Sequence, residues 1–361
     1  MSTTLTAHVA LVSDTDAIQL DDLSPVAAAL QKQVTRDFGP LWNVNATVDA
    51  FDSLESVPVD YWPVILRDDI NEPGAAGFHT DDHGQPFSLV QADGNWPLTT
   101  SHEVLEMLGD PFGSRTVAGS PPPHAPAPVS KLKRVTYLVE VCDPCESDQF
   151  SYPVNGIQVS DFITPHYYDP RKSSGVRYSF VGSIEAPHTV LEGGYVSFGN
   201  PVDHHWYQII VQNGKQAVRD LGIISSTNGK SLRELVDRKV REVRAKERYR
   251  LKPAAAAAAA FTETPFSETT TARATWLRDY VKGLKQRCWS CSRLRQLRRS
   301  ANMSEEESHL EQGQIERARR LREKIEQLKS GAPPKQEPGA KKSIKEQIAE
   351  REAEQKRTES E

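Results

Sequence analysis

The stretch Thr99-Thr100-Ser101-His102-Glu103-Val104-Leu105-Glu106-Met107-Leu108-Gly109-Asp110-Pro111 holds the residues best suited to chemistry. On a helix, His102 and Glu106 lie about 40° apart around the axis and one turn apart along it, so both side chains can reach one ion. Imidazole nitrogen and carboxylate oxygen each bind Zn²⁺, at about 2.0–2.2 Å. Glu103 projects beside them, where a carboxylate can take a proton from a metal-activated water and act as a catalytic base. The plainer reading of the same segment is an amphipathic helix with Val104, Leu105, Met107 and Leu108 in the core and its acids solvated.

Two ligands do not complete a site. Asp110 lies two turns along the same face but directly precedes Pro111, where the chain is expected to leave the helix. Asp143 and Glu146 follow the apolar run Val135–Val141 in Val-Cys-Asp-Pro-Cys-Glu, and strand ends are where side chains from separate segments converge. These two rank above Asp110 as the third metal ligand. His79, on a presumed edge strand, is placed on the substrate side, although a lone strand histidine is more often a surface residue. His204 and His205 would alternate faces, so at most one points inward. The pairs Cys142–Cys145 and Cys288–Cys291 are too far apart in the chain to form one four-cysteine zinc site, whose pairs usually lie about 15–20 residues apart.

The elements that must position these residues read as strand, helix, strand, strand, hairpin, helix. Ala7–Ser13 is a strand, Leu23–Phe38 a helix, Trp42–Phe51 an alternating strand and Tyr61–Arg67 an apolar inner strand. Gly77–Thr80 and Phe87–Val90 flank a turn at Gly84, Leu98–Leu108 is the helix bearing the motif, and Val135–Val141 is a strand after a proline-rich loop.

Charge divides the 361 residues. The formal net charge is −5, yet residues 1–228 hold 12 Lys+Arg against 28 Asp+Glu, and the remainder is basic by the difference. The organisation read from this shift is a metal-binding domain over 1–228, a charged helix over 229–252, an Ala/Thr/Pro-rich linker over 253–271, a basic and charged helical segment over 272–330, and a disordered tail over 331–361. Within 272–330, Ser304 and Glu307 have capping-box spacing, and the helix they open, about 305–329, carries an imperfect apolar stripe suited to a short coiled coil. No apolar run approaches the roughly 20 residues of a membrane span and no export signal opens the chain, so a cytoplasmic setting is expected. Four cysteines in a chain this long are not a disulfide framework.

The motif resembles the zincin-like metallopeptidase superfamily, in particular a metzincin-like core, in which a strand, helix and two strands with an edge strand precede His-Glu-x-x-His-x-x-Gly. Here Glu106 stands at the second histidine and Gly109 at the matching glycine, while the third ligand position of that pattern falls on Phe112, which cannot bind a metal. The chain also resembles an uncharacterised, largely bacterial group carrying Ser-His-Glu-x-x-Glu, Cys-Asp-Pro-x-Glu and Ser-Asp-Phe-x-x-Pro, matched by Ser101–Glu106, Cys142–Glu146 and Ser160–Pro165. The resemblance covers roughly residues 5–210. It implies an α+β fold with a zincin-like mixed sheet and an active-site helix, zinc or another divalent metal as cofactor, and a peptide or protein substrate. It places Ser160–Tyr168 on the floor of the site. Within that segment His166 is the fourth candidate for the third ligand and otherwise lies beside the substrate, and Tyr167 or Tyr168 can donate a hydrogen bond to a developing oxyanion.

Residues 272–300 surround Trp289 with cations, a composition able to touch a protein partner or nucleic acid. The sequence therefore carries two expectations, a zinc-dependent hydrolase of peptidase type with an atypical His-Glu-x-x-Glu site, and a non-catalytic zincin-fold interaction protein whose basic tail binds the partner.

Overall fold

The computed structural model describes residues 6–72, 74–82, 84–127, 129–224, 230–250 and 315–325, with the side chains of 245–250 excepted. The chain divides into two compact units, residues 1–318 and 319–361. Residues 315–325 are helical, and the rest of the expected helix at 305–329, the segment 272–300 and the pair Cys288–Cys291 lie outside the described residues.

The first unit opens with β1 (Thr6–Ser13), α1 (Leu20–Lys32) and β2 (Asn45–Phe51). Asp22 starts α1 by accepting the Gln19 N–H at 3.0 Å, the reciprocal carboxylate of an N-terminal cap. The helical path continues beyond α1 through wider turns at Gln33–Phe38 and into α2 (Gly39–Trp42). Asn43, in the left-handed region at φ 55°, ends it, so the strand expected from Trp42 begins at Asn45 instead. Trp42 stays buried and donates its indole N–H to the Ile163 carbonyl at 2.9 Å.

β3 (Tyr61–Arg67), β4 (Gly77–Asp82), β5 (Gln85–Gln91) and α3 (Trp96–Gly109) follow. The strands form a sheet in the order β2-β1-β3-β5-β4, parallel except for β4, which runs antiparallel to β5 at the edge. The second sheet is antiparallel, built from β6 (Thr116–Gly119), β7 (Val135–Leu138), β10 (Tyr195–Gly199), β11 (His205–Gln212) and β12 (Lys215–Ile223), with β8 (Tyr152–Val154) and β9 (Ile157–Val159) forming a separate hairpin. Helices and mixed sheets together make the fold α+β. α1 and α3 share one core with the first sheet: Leu23, Val26 and Leu30 of α1 and Val104, Leu105 and Leu108 of α3 pack with Val9, Leu11, Val64 and Leu66. No helix among the described residues is long and apolar enough to cross a membrane.

Three contacts fix the rotation and depth of α3. Ser101 donates its hydroxyl to Gln33 Oε1 at 2.8 Å and accepts the Ser160 N–H at 2.9 Å, while Gln33 Nε2 donates to the Ser160 carbonyl at 2.9 Å. Ser101, Gln33 and Ser160 are all buried, so each polar group depends on the others. At the helix end, a Cβ on Gly109 would stand 3.0 Å from Val141 Cγ1; glycine here permits close packing rather than a left-handed backbone.

α4 (Leu232–Arg250) lies beyond the composition break at 228 but packs on the preceding residues. Val236 and Val240 join Leu138, Trp206 and Leu221 in an apolar cluster. Ser231 caps the helix by accepting the Glu234 N–H at 3.1 Å, and the Arg233 N–H donates to the Gly113 carbonyl at 2.8 Å.

Two tests follow from this packing. Ser101→Ala leaves the Ser160 N–H and Gln33 Oε1 buried without partners and is expected to cost about 1–3 kcal/mol in urea unfolding. His188 is buried, its ring stacked on Tyr137 at 5.2 Å, and Nε2 lacks a hydrogen-bond partner. Burial pushes its pKa down to about 4. The unfolded chain therefore takes up a proton that the folded chain refuses, and stability falls as pH drops from about 6.5 toward 4, by roughly 3 kcal/mol. The stability profile of His188→Gln is expected to be flatter across that window.

Candidate metal centre

Helical spacing puts Glu106 between His102 and Glu103 on α3, and the structure uses its two carboxylate oxygens separately. Oε1 lies 3.3 Å from His102 Nε2 and accepts the Cys142 N–H at 3.4 Å. Oε2 takes a hydrogen bond from Arg233 Nη1 at 2.5 Å. His102 Nε2 is also 3.2 Å from Asp143 Oδ1, so His102, Glu106 and Asp143 form one cluster, their ligand atoms within 4.8 Å of one another. On the other side of Glu106, His79, Glu103 and Glu106 form a second cluster of the same kind. No cysteine belongs to either cluster among the described residues; Cys142 and Cys145 are both buried free thiols.

Asp143 reaches the site because the turn after Val141 is clamped. Gly194 presses on it so closely that a Cβ would stand 2.6 Å from the Asp143 carbonyl and 2.8 Å from that of Pro144, and Leu191 N–H donates to Pro144 at 2.9 Å. Glu103 is enclosed in a similar way. A Cβ on Gly77 of β4 would lie 2.8 Å from Glu103 Oε1 and 2.9 Å from Thr99 Cγ2. The edge strand thus rests directly on the helix at Glu103.

The site is dominated by negative charge. Glu103, Glu106, Glu140 and Asp143 are each at most 5% exposed, and the permanent cation among them is Arg233. Its Nε lies 3.3 Å from Glu140. Burial alone drives carboxylates toward their neutral form. For Glu106, His102 and Arg233 more than reverse that effect and hold its pKa well below the usual range. Burial, reinforced by Asp143, pushes Glu140 well up, and burial with Glu106 raises Asp143. For His102 burial favours the neutral ring, but Glu106 and Asp143 outweigh it and raise its pKa well above the ordinary value.

A tetrahedral ion with bonds of about 2.0–2.1 Å separates its ligands by roughly 3.3–3.4 Å. The 3.3 and 3.2 Å spacings from His102 to Glu106 and Asp143 fit that edge. Both Asp143 oxygens are buried, and Oδ2 has no hydrogen-bond donor. The donor set and its unfilled carboxylate therefore suit a divalent cation.

The other sequence candidates lie as follows. Glu146 is half-buried and belongs to neither cluster, and burial, then Asp143, pushes its pKa up to about 8. Asp110 is not in either cluster. Its carboxylate accepts the N–H groups of Ser114 at 3.0 Å and Arg115 at 2.8 Å, closing the turn after α3. His79 does not face a substrate groove, since it is 3% exposed and turned into the second cluster. His166 is exposed and paired with Asp169 at 2.8 Å. Tyr167 is buried edge-on to Tyr168, and its hydroxyl has no hydrogen-bond partner, so it is not presented to a substrate.

Sequence reasoning missed Arg233, Glu140 and Tyr195, whose hydroxyl is pushed up by burial and by Asp143 and Glu140. Two signals were available: an acid inside the apolar run Val135–Val141, and Ser231-Leu232-Arg233-Glu234, a capping box that fixes where α4 begins. Compared with known proteins, the chain matches no family model, no curated protein and no solved structure.

The Gly77 contact is open to a direct test. Gly77→Ala has no room at Glu103 and is expected to lower stability by about 1–3 kcal/mol, read from the denaturation midpoint, whereas Gly84→Ala, which meets nothing within 4 Å, pays only for its left-handed backbone.

Proposed function

We propose that the first unit is a zincin-like, metal-dependent hydrolase acting on peptide-like substrates, with the ion held by His102, Glu106 and Asp143. One observation carries this reading. Asp143 is 1% exposed, its Oδ1 has the His102 ring nitrogen beside it at 3.2 Å, and its Oδ2 has no hydrogen-bond donor. Burying that oxygen in its ionised form is costly unless a cation beyond His102 faces it. The zincin likeness is supported by the order of elements: strand, helix, two strands, an antiparallel edge strand beside its neighbour, then α3 ending at Gly109.

A divalent ion supplies Lewis acidity, polarising a carbonyl and bringing the pKa of a bound water toward about 7. One imidazole and two carboxylates make a harder donor set than a histidine-rich one, which admits other divalent ions beside Zn²⁺. The Cys142 N–H holds Glu106 Oε1 in place, and Arg233 holds Oε2. Proton transfer is assigned to Glu146 in place of Glu103. Glu146 is half-buried and stands outside both clusters, and the charge of Asp143 reaches it, whereas Glu103 is walled in by Gly77 and faces His79.

The rival is a non-catalytic interaction protein. It is favoured by Arg233, whose guanidinium already neutralises Glu106 from within the chain. Contacts to a partner or nucleic acid through residues 272–300 belong to that reading.

Elemental analysis of the purified full chain together with a peptide-hydrolysis assay decides between them, since the rival protein keeps the fold with or without metal. One divalent ion per chain is expected, lost in His102→Ala and Asp143→Asn. Glu146→Gln should keep the ion and lose about 10²–10⁴-fold in peptide hydrolysis, with a smaller loss for Glu103→Gln. A metal-free chain whose Tm ignores added Zn²⁺ would leave the ion-paired core of the rival reading.

A further inference from the structure

We propose that the cluster is built for two cations sharing Glu106, and that the second position is held by the Arg233 guanidinium, so that a second divalent ion and the docked arginine exclude one another. The inference rests on the metal reading of the first position.

His79 supplies the main argument. Its Nε2 lies 3.1 Å from the Asp110 carbonyl, which can only accept, so the proton sits on Nε2 and Nδ1 presents a lone pair. That lone pair accepts from Arg233 Nη1 at 2.8 Å and lies 3.7 Å from both Glu103 Oε2 and Glu106 Oε2. An imidazole whose outer N–H is fixed on a backbone carbonyl while its free nitrogen faces carboxylates has the outer-sphere arrangement of a metal ligand. Three acceptors turned toward one another repel unless a cation stands between them.

Arg233 meets that need incompletely. The two protons of Nη1 are directed to His79 and Glu106, and Glu103 Oε2, in a residue 3% exposed, is left without a hydrogen-bond partner. A divalent ion has no such limit of direction and would serve His79 Nδ1, Glu103 Oε2 and Glu106 Oε2 together. These atoms lie within 4.8 Å of one another. Arg233 arrives on the first turn of α4, so occupation of this position by an ion requires the start of that helix to release its side chain. Ion concentration and α4 docking are thereby coupled.

The test counts ions in the full chain by equilibrium dialysis and elemental analysis at the lowest Zn²⁺ concentration that fills the second position of Arg233→Ala. The unaltered chain is expected to hold one ion, Arg233→Ala two, and Arg233→Ala with His79→Ala one again. Methylguanidinium, which fits the space left by the arginine, should compete with the second ion and not with the first. One ion in both the unaltered chain and Arg233→Ala overturns this inference and leaves the first site standing. No ion in the unaltered chain overturns the first site itself. If Arg233→Ala does not fold by itself, it and Arg233→Gln are refolded with and without Zn²⁺. Recovery with two bound ions supports the proposal, and failure of both variants to recover at saturating Zn²⁺ overturns it, because an ion in that position restores the missing charge.

Discussion

The arrangement depends on one fully buried carboxylate, Glu106, which is 0% exposed. A charge without solvent survives only when something of opposite sign or a hydrogen-bond donor faces each oxygen. Glu106 meets the condition twice, with His102 and the Cys142 N–H at Oε1 and with Arg233 at Oε2. The neighbouring elements converge on those contacts: the turn after β7 brings the Cys142 N–H, α4 brings Arg233, and β4 brings His79, which accepts a second hydrogen bond from Arg233. The interior is an electrostatic problem around which the apolar core has been fitted.

Two kinds of device hold those elements at short range. Polar pegs act where rotation matters: Ser101 locks α3 to Gln33 and Ser160, and Asp110 closes the turn behind it. Glycines act where distance matters: Gly109 admits Val141, Gly77 admits Glu103 and Gly194 admits the Asp143 carbonyl. At these three positions the backbone has no positive φ, so what glycine contributes is the space of a missing Cβ. Most of the core tolerates hydrophobic exchange of similar volume, but these positions do not.

How much was legible in the sequence follows from the range of each signal. The order of the first five strands and the motif helix could be read from local periodicity, and β3 begins and ends where its apolar run does. The spacing of His102 and Glu106 is likewise a property of one helix. Local pattern also ranked Asp143 above Asp110, since the residue before Pro111 leaves the helix and spends its carboxylate on Ser114 and Arg115. What could not be read depends on distant pairing. His79 looks the same on a strand whether it faces solvent or Glu103, and Arg233 is separated from Glu106 by 127 residues and a break in composition. Charge averaging misled in that case: α4 belongs by net charge with the basic part of the chain, yet its buried Arg233 completes the acidic one.

The position of Arg233 in the chain has a consequence for synthesis. Glu103, Glu106, Glu140 and Asp143 all leave the ribosome well before it, and at about 5–20 residues per second the gap lasts several seconds. During that interval the first sheet and the helix motif can form, but the acidic centre has no internal arginine. Early chains must therefore keep these carboxylates wet, protonated or bound to an ion, and α4 closes the interior. In this molecule the folding of the centre ends with the arrival of a charge.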